Sequence, residues 1–130
     1  MKNFKKYLPY ILIISIFIIG FVIFYFNNNS SGKYLKVVFL DVGQGDAIYI
    51  EAPNGKQILI DAGPDAKVLS SLSQVMPFAD RSIDMIIATH PDSDHIGGFP
   101  LILDNYKVAT IMENGATSTS KVYASLEEKI

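Results

Sequence analysis

Two histidines and two aspartates lie within six residues of one another, in the segment Thr-His-Pro-Asp-Ser-Asp-His-Ile-Gly-Gly at residues 89–98. They are His90, Asp92, Asp94 and His95. Imidazoles and carboxylates together suit divalent ions such as zinc, manganese or iron. A closed structural zinc site is disfavoured because the chain contains no cysteine. The segment therefore predicts a metal site, and the extra carboxylate at Asp92 makes manganese an alternative to zinc.

A simpler interpretation of the same segment is structural. Asp94 would be the N-cap of a helix, and the two histidines would be ordinary polar residues near its start. In an extended loop, residues 90, 92 and 94 project to one side, and His95 joins them only if the chain turns there. Two acids beside two imidazoles have little purpose without a cation. We therefore favour the metal site.

A buried strand must position this segment. Ile83 to Thr89 is a short, Ile-rich run bounded by polar turns, which is typical of such a strand. A helix is predicted from Ile96 to Asn105, and the next strand from Val108 to Met112. The order strand, helix, strand indicates a parallel pair. The N-terminus of that helix would present its positive dipole to the metal and to an anionic substrate.

Three earlier strands are predicted as an antiparallel meander, over residues 34–41, 47–51 and 57–61. Residues 43–46 form the first turn. In the second turn, Asn54-Gly55 favours positive φ at both central residues. Two more helices are predicted, an amphipathic one over residues 64–76 and one in the tail 117–130, capped by Ser118 or Ser120. The tail helix has no later element to cover its apolar side.

Three motifs carry a resemblance to the metallo-β-lactamase superfamily. Residues 89–98 resemble its metal motif, usually His-x-His-x-Asp-His. Asp92 occupies a position that is usually His, as in the ComEC-like branch of DNA-internalisation competence proteins. Phe-Leu-Asp-Val-Gly-Gln-Gly-Asp-Ala at residues 39–47 is similar to the N-terminal signature of that branch, and Ile-Leu-Ile-Asp-Ala-Gly at 58–63 resembles the superfamily's strand ending in Asp-x-Gly.

The resemblance implies an α/β fold, the metallo-β-lactamase-like αββα sandwich, of which this chain resembles the first half. It also implies a metal-dependent hydrolase, and likeness to the competence proteins implies a phosphodiester or DNA substrate. Two ions, zinc or manganese, would be held in an intact domain. His90 and Asp92 would help to hold one ion, and Asp94 and His95 the other. Asp94 would also orient or deprotonate the attacking water.

Other residues receive supporting roles from the resemblance. Residues 89–98 are called the metal segment below. Asp61, at the end of an apolar strand, would support this segment without binding metal itself. Gln44 and Asp46 lie in a loop that would face the metal. Direct contact of this loop with substrate competes with a plain glycine-rich turn in which Asp46 bonds its own backbone.

The later ligands of the superfamily would come from a C-terminal half that this chain lacks, so we expect a fragment or a truncated copy. Such a site would bind metal weakly. The alternative function is therefore a catalytically degenerate metal-binding or regulatory module at the membrane.

An apolar run precedes the globular segment, with no charged residue between Lys6 and Lys33. About 20 apolar residues span a bilayer core, so residues 7–26 predict one transmembrane helix. Lys2, Lys5 and Lys6 favour a cytoplasmic N-terminus and an extracytoplasmic C-terminal domain at the cell membrane. The alternative is a signal peptide cleaved to release a secreted domain, although no Ala-x-Ala-like site follows.

The chain thus divides into a cytoplasmic basic tail (1–6), the transmembrane helix (7–26), a polar linker (27–32) and a partial metallo-β-lactamase-like domain (33–130). The net charge of the whole chain is −2. Without the three N-terminal lysines, 8 basic and 13 acidic residues remain. An acidic domain binds nucleic acid poorly without other help, because sequence-independent affinity comes from cationic contacts to phosphate.

Overall fold

The computed structural model describes the backbone of residues 2–28 and 34–130 and the side chains of residues 7–25 and 34–130. The predicted linker and the side chains of the basic tail lie largely outside these residues. The chain forms two units, Met1–Ser31 and Gly32–Ile130.

The first unit is one long helix, α1 (Lys2–Asn28). Its stretch Tyr7–Tyr25 has 19 residues and a mean hydropathy of 2.6, and it is long and apolar enough to cross a membrane. Almost every described side chain of this stretch is exposed, so its apolar surface is left uncovered by the described residues. The finding makes α1 a candidate membrane span, although a signal sequence would have the same length and composition.

The second unit is built on one sheet of five strands in the order β1-β2-β3-β4-β5. β1 pairs with β2 and β2 with β3 in antiparallel fashion, whereas β3–β4 and β4–β5 are parallel. The predicted meander and the predicted parallel pair are both confirmed. The strands are β1 (Lys36–Phe39), β2 (Ile48–Glu51), β3 (Gln57–Ile60), β4 (Ser82–Ala88) and β5 (Lys107–Glu113).

The hydrophobic core lies on one face of this sheet. Tyr49, Leu59 and Ile86 are register neighbours on three adjacent strands, and all three are buried. Apolar side chains of four helices complete the same cluster. Because strand residues alternate between faces, each of these strands gives its core only every second side chain. The helices are α2 (Lys67–Val75), α3 (Ser93–Ile96), α4 (Phe99–Asn105) and α5 (Lys121–Glu127).

The opposite face of the sheet is also apolar. Register pairing places its side chains in two rows that each cross all five strands, with Thr110 the single polar member. These side chains lie outside the buried core, and Phe39 is 77% exposed. In an αββα sandwich a second sheet would cover such a face. The rows are Val37, Ile50, Ile58, Met85 and Thr110, and Phe39, Ile48, Ile60, Ile87 and Met112.

Two local predictions about turns and helix starts were wrong. In the β2–β3 hairpin only Gly55 has positive φ, at 81°, whereas Asn54 does not. The Gly55 N–H donates to the Ala52 carbonyl, so a four-residue turn ends at a single left-handed glycine, and the loop is longer than two residues. Helix α2 begins at Lys67 rather than at Pro64, because Asp65 accepts a hydrogen bond from the Lys67 N–H instead.

Three predictions around the metal segment and the tail also need correction. The predicted helix 96–105 is two helices, α3 and α4, and the first begins at Ser93. Asp94 therefore lies inside α3, neither in an extended loop nor at an N-cap, and the residue before the helix is Asp92. The tail helix α5 does have a partner for its apolar side, since Leu126 is buried in the core against α3 and α4. Ser120 caps it as predicted.

Candidate metal centre

The site begins where two parallel strands end at the same edge of the sheet. Ile60 of β3 pairs with Ile87 of β4, so the residues that follow these strands are neighbours. The Asp61 N–H donates to the Ile87 carbonyl at 2.9 Å, which continues the ladder by one residue. The Asp61 carboxylate then meets Thr89, accepting from its backbone N–H at 2.9 Å and from its hydroxyl at 2.6 Å. The strand ends thus fix one carboxylate beside the metal segment.

Asp61 is buried and conformationally unusual. It is 3% exposed, and its φ of 55° is the only positive value among the described residues other than glycine. Left-handed backbone costs an L-residue about 1–2 kcal/mol, although aspartate tolerates it better than most. Such conformations persist where the surrounding structure enforces them, and they cluster at functional sites. The turn carries the Asp61 carboxylate toward the histidines.

The first histidine held by this carboxylate is His95. Its Nδ1 lies 2.9 Å from Asp61 Oδ2. An ionised carboxylate only accepts hydrogen bonds, so the geometry assigns the proton to Nδ1 and leaves the Nε2 lone pair available. A carboxylate on the other ring nitrogen is the usual way in which proteins orient metal-binding histidines.

The second histidine is held through Thr89. His90 Nδ1 lies 2.9 Å from the Thr89 hydroxyl oxygen. The hydroxyl proton is already donated to Asp61, so the oxygen accepts from His90 Nδ1–H, and His90 Nε2 is left as an acceptor. The two imidazole rings are 3.9 Å apart between centroids and tilted by 50°. One carboxylate therefore sets the tautomer of both histidines.

The structure brings some of the predicted site residues together and leaves others apart. Asp61, His90 and His95 each offer an atom within 4.8 Å of the other two, a group that could hold a metal ion. Asp61 already accepts three hydrogen bonds, which favours its predicted supporting role. Asp92 is outside this group; its side chain is 72% exposed, with Oδ2 3.5 Å from His90 Nε2. Asp94 is half-buried on α3 and is also outside the group.

The loop at residues 43–46 borders the metal segment through its backbone. The Gly63 N–H donates to the Asp46 carbonyl at 2.9 Å, and the Ala62 N–H donates to the His95 carbonyl at 2.7 Å. The residues after β3 therefore tie both segments together. The side chains of Gln44 and Asp46 are exposed. Their contact with a substrate stays a prediction.

Sequence reasoning missed the residues at the end of β5 and just beyond it. A small hollow beside His90 is lined partly by Glu113, Asn114 and Tyr123. Asn114 Nδ2 donates to the Thr89 carbonyl at 2.7 Å. Burial, and then the nearby Glu127 carboxylate, raise the pKa of Glu113. The predicted parallel pairing of β4 and β5 was the signal that could have found them, because parallel strands end at the same edge.

One family model and several relatives match this chain. The family model described as Metallo-beta-lactamase superfamily matches residues 40–121. ComE operon protein 3 of Bacillus subtilis is 31% identical in an alignment of 94 residues that covers 59% of this chain and 12% of that protein. Recombination protein 2 of Haemophilus influenzae is 36% identical over 95 residues, which are 70% of this chain and 12% of that protein.

A third relative is named for an activity. Exodeoxyribonuclease WalJ of Streptococcus pneumoniae is 34% identical over 62 residues, which are 48% of this chain and 23% of that protein. The chain therefore spans less than a quarter of the length of each of these three relatives.

Proposed function

Because this chain belongs to the metallo-β-lactamase superfamily, we propose that it carries part of a metal-dependent hydrolase that cleaves phosphodiesters and is anchored in the cell membrane. The resemblance to the superfamily and to its ComEC-like branch is confirmed by the family match and by the first two relatives. The superfamily consists mostly of hydrolases. The finer statements about metal, substrate and location form the proposal.

The observation that carries this proposal is a pair of histidines whose Nδ1 atoms both form hydrogen bonds within the chain. The hydrogen bonds from His95 to Asp61 and from His90 to Thr89 leave the two Nε2 atoms as acceptors. Two imidazole Nε2 atoms left open side by side, with carboxylates nearby, match the nitrogen and carboxylate ligands that suit zinc or manganese. The donor set therefore fits a divalent cation.

His90, His95, Asp92 and Asp94 are the proposed metal ligands, serving two ions of zinc or manganese in an intact domain. When bound, such an ion supplies Lewis acidity that makes water nucleophilic near neutral pH. Asp94 would accept the proton of the attacking water and orient it. Asp61 would keep both imidazoles in the correct tautomer throughout.

A nucleic acid is the substrate we favour, because one relative is named an exodeoxyribonuclease. The charge of this chain does not itself favour DNA, since residues 34–130 contain 7 basic and 13 acidic residues. Affinity for a polyanion needs cationic contacts to phosphate. We therefore propose that this segment supplies cleavage chemistry and that binding affinity comes from elsewhere.

Membrane attachment through α1 is the remaining part of the proposal. Tyr7–Tyr25 has the length and hydropathy of a span. Lysines before it favour a cytoplasmic N-terminus, so the globular unit would be extracytoplasmic. Detection of the intact chain in washed membranes, with the globular unit digested by protease only from the outer side, would support this topology. A mature chain starting after residue 26 would favour the cleaved signal instead.

The test of the hydrolase proposal is metal analysis combined with a phosphodiesterase assay of this chain in detergent micelles and of any longer natural protein that contains it. We expect bound zinc or manganese and metal-dependent cleavage of bis-p-nitrophenyl phosphate. Asp94→Ala should lower kcat by about 100-fold or more, the usual size of a general-base effect.

Asp104→Ala is the control for this variant, because Asp104 forms a surface ion pair with Lys129. Its kcat should equal that of the wild type. Unchanged turnover in Asp94→Ala would remove the proposed role of Asp94. Absence of any bound divalent ion in the folded wild type would overturn the hydrolase proposal itself.

A second candidate function is a metal-binding or regulatory module without catalysis. Among the described residues, the candidate ligand group contains three side chains, Asp61, His90 and His95, and the Asp61 carboxylate already accepts three hydrogen bonds. Metal binding without turnover in every natural length of the protein would favour this module over the enzyme.

A further inference from the structure

Gly45 lies against the backbone of the metal segment. A Cβ added at this position would be 1.8 Å from the Asp94 carbonyl oxygen and 2.7 Å from the Asp94 carbonyl carbon. Side-chain carbons do not approach backbone atoms so closely. The contact therefore exists because residue 45 has no side chain. The carbonyl it touches belongs to the peptide bond that joins Asp94 to His95.

We propose that Gly45 is a positioning residue for the metal centre, because its bare backbone lets the loop at residues 43–46 fix the Asp94–His95 peptide. This inference rests on the proposed function in so far as Asp94 and His95 are ligands. The loop acts on the metal segment through contact between the two backbones. Neither exposed side chain of the loop, Gln44 or Asp46, is needed for that action.

The loop is stiff enough to act in this way because its own position is fixed. Its last carbonyl, that of Asp46, accepts a hydrogen bond from Gly63 N–H at 2.9 Å. The neighbouring Ala62 N–H donates to the His95 carbonyl at 2.7 Å. The Asp94–His95 segment is thus held from two sides, by a hydrogen bond on one and by close packing on the other. A side chain added at residue 45 must therefore move Asp94 or break the hydrogen bond at the His95 carbonyl.

Gly43 offers a matched control in the same loop. Its φ is 84° and that of Gly45 is 78°, so a new side chain is equally strained at either position. A Cβ at Gly43, however, would meet only the flexible end of Lys67, at 3.8 Å. Gly43→Ala and Gly45→Ala therefore share the backbone cost of placing alanine at positive φ. They differ in the collision with Asp94.

The experiment compares wild type, Gly43→Ala and Gly45→Ala as 130-residue chains in detergent micelles, with Co²⁺ alone as the probe. The visible absorption of Co²⁺ reports both affinity and coordination geometry. We expect Gly45→Ala to weaken Co²⁺ binding by about 10- to 100-fold and to change the spectrum, as variants that misplace ligands do. Gly43→Ala should stay within about threefold of the wild type, since no ligand moves.

Measurements without metal keep the inference separate from the proposed function. In the wild type, a nuclear Overhauser effect should connect a Gly45 α-proton to the Asp94 β-protons, because the added Cβ would lie 3.1 Å from Asp94 Cβ. In metal-free chains, Gly45→Ala should shift the His95 imidazole resonances, whereas Gly43→Ala should not. The nuclear Overhauser effect tests the contact even if Gly45→Ala folds poorly, and neither measurement needs the wild type to bind Co²⁺.

Equal Co²⁺ affinities of the two variants, or a wild type without the Gly45–Asp94 nuclear Overhauser effect, would overturn the positioning role. A wild type that binds no Co²⁺ but shows the expected effect would overturn the metal proposal alone. Loss of turnover in Gly45→Ala with unchanged Co²⁺ spectrum and affinity would also count against positioning, and would favour substrate contact by the loop.

Discussion

Carboxylates lie near both ends of strand β4, and their hydrogen-bonding requirements are met in different ways. At the start of the strand, Asp84 accepts from Lys56 Nζ at 2.5 Å and from the Gln57 N–H at 2.8 Å. Asp80 is bonded by Ser82 and by the Gln57 side chain. The carboxylates there are neutralised or capped by groups of the chain itself, and they join β3 to β4.

At the far end of the same strand, the buried carboxylate has no such cation. Among the described residues, no lysine or arginine forms an ion pair with Asp61, which instead bonds His95 Nδ1 at 2.9 Å. Asp61 accepts its remaining hydrogen bonds from Thr89, and the Thr89 hydroxyl oxygen in turn bonds His90 Nδ1. The comparison teaches that an acid at the start of β4 holds strands together. Asp61, beside the end of β4, bonds His95 directly and His90 through Thr89, so that the Nε2 atoms of both imidazoles remain open.

The largest effect expected from this comparison is that of Asp61→Asn on metal affinity. Asparagine tolerates positive φ, so the turn survives. Its amide nitrogen, placed at Oδ2, would donate to His95 Nδ1 and to Thr89, reversing the tautomer of both histidines. Affinity for Zn²⁺ or Mn²⁺ should fall by about 100-fold.

Calorimetric titration measures this affinity, and long-range ¹⁵N–¹H spectra of the imidazoles report the tautomers. Asp84→Asn is the matched change at the other end of the strand and should leave metal affinity unaltered. An Asp61→Asn protein that binds metal as the wild type does would show that Asp61 does not orient the histidines.

A smaller effect, on stability, is expected from Asp84→Asn. The hydrogen bond from Lys56, and then that from the Gln57 N–H, lower the pKa of Asp84. Its stabilising contribution is therefore complete above the unfolded-state pKa, about 4, and is lost as the pH falls through the lower folded-state pKa. At neutral pH we expect a loss of about 0.5–1 kcal/mol, because solvent screens this partly exposed pair.

Urea unfolding followed by circular dichroism, from neutral to strongly acid pH, measures this contribution. The curves for wild type and Asp84→Asn should converge in acid, where both side chains are uncharged. A difference that stays constant over the whole range would show that the charge of Asp84 does not stabilise the fold.

The smallest expected effect is that of Lys56→Gln. The Lys56 side chain is 66% exposed, so its ion pair with Asp84 contributes about 0.5 kcal/mol or less. The Gln57 N–H still binds Asp84 in this variant. The loss in the free energy of unfolding should be measurable at low salt and should vanish at high salt. A loss that exceeds that of Asp84→Asn would mean that Lys56 has another partner.

Much of the secondary structure could be predicted because its signals are local. The alternation and apolar runs of the five strands, together with the periodicity of α2, depend on residues that are near in sequence. The errors occurred where tertiary contacts decide. Helix α3 begins at Ser93, two residues after a proline, and its buried Ile96 packs into the core. Leu126 is buried only because α5 returns to α3 and α4.

The site was only partly accessible from the sequence, for a similar reason. The residue types and spacing of His90, Asp92, Asp94 and His95 indicate a metal, and the strand before them fixes their place at a sheet edge. The position of Asp61 against His95, 34 residues away, depends on the parallel pairing of β3 and β4. The approach of Gly45 to Asp94 likewise joins segments that are distant in sequence.

The sequence by itself determined the family, the order of strands and helices, and the ligand types of the metal segment, because each is written in short runs of residues. Only the tertiary structure decided which nitrogen of each histidine is left open, and which glycine lies against the Asp94 carbonyl group. Hydrogen bonds and close contacts between distant segments depend on how the strands pair and how the loops meet. Those contacts act between atoms that are a few ångströms apart, however many residues separate them along the chain.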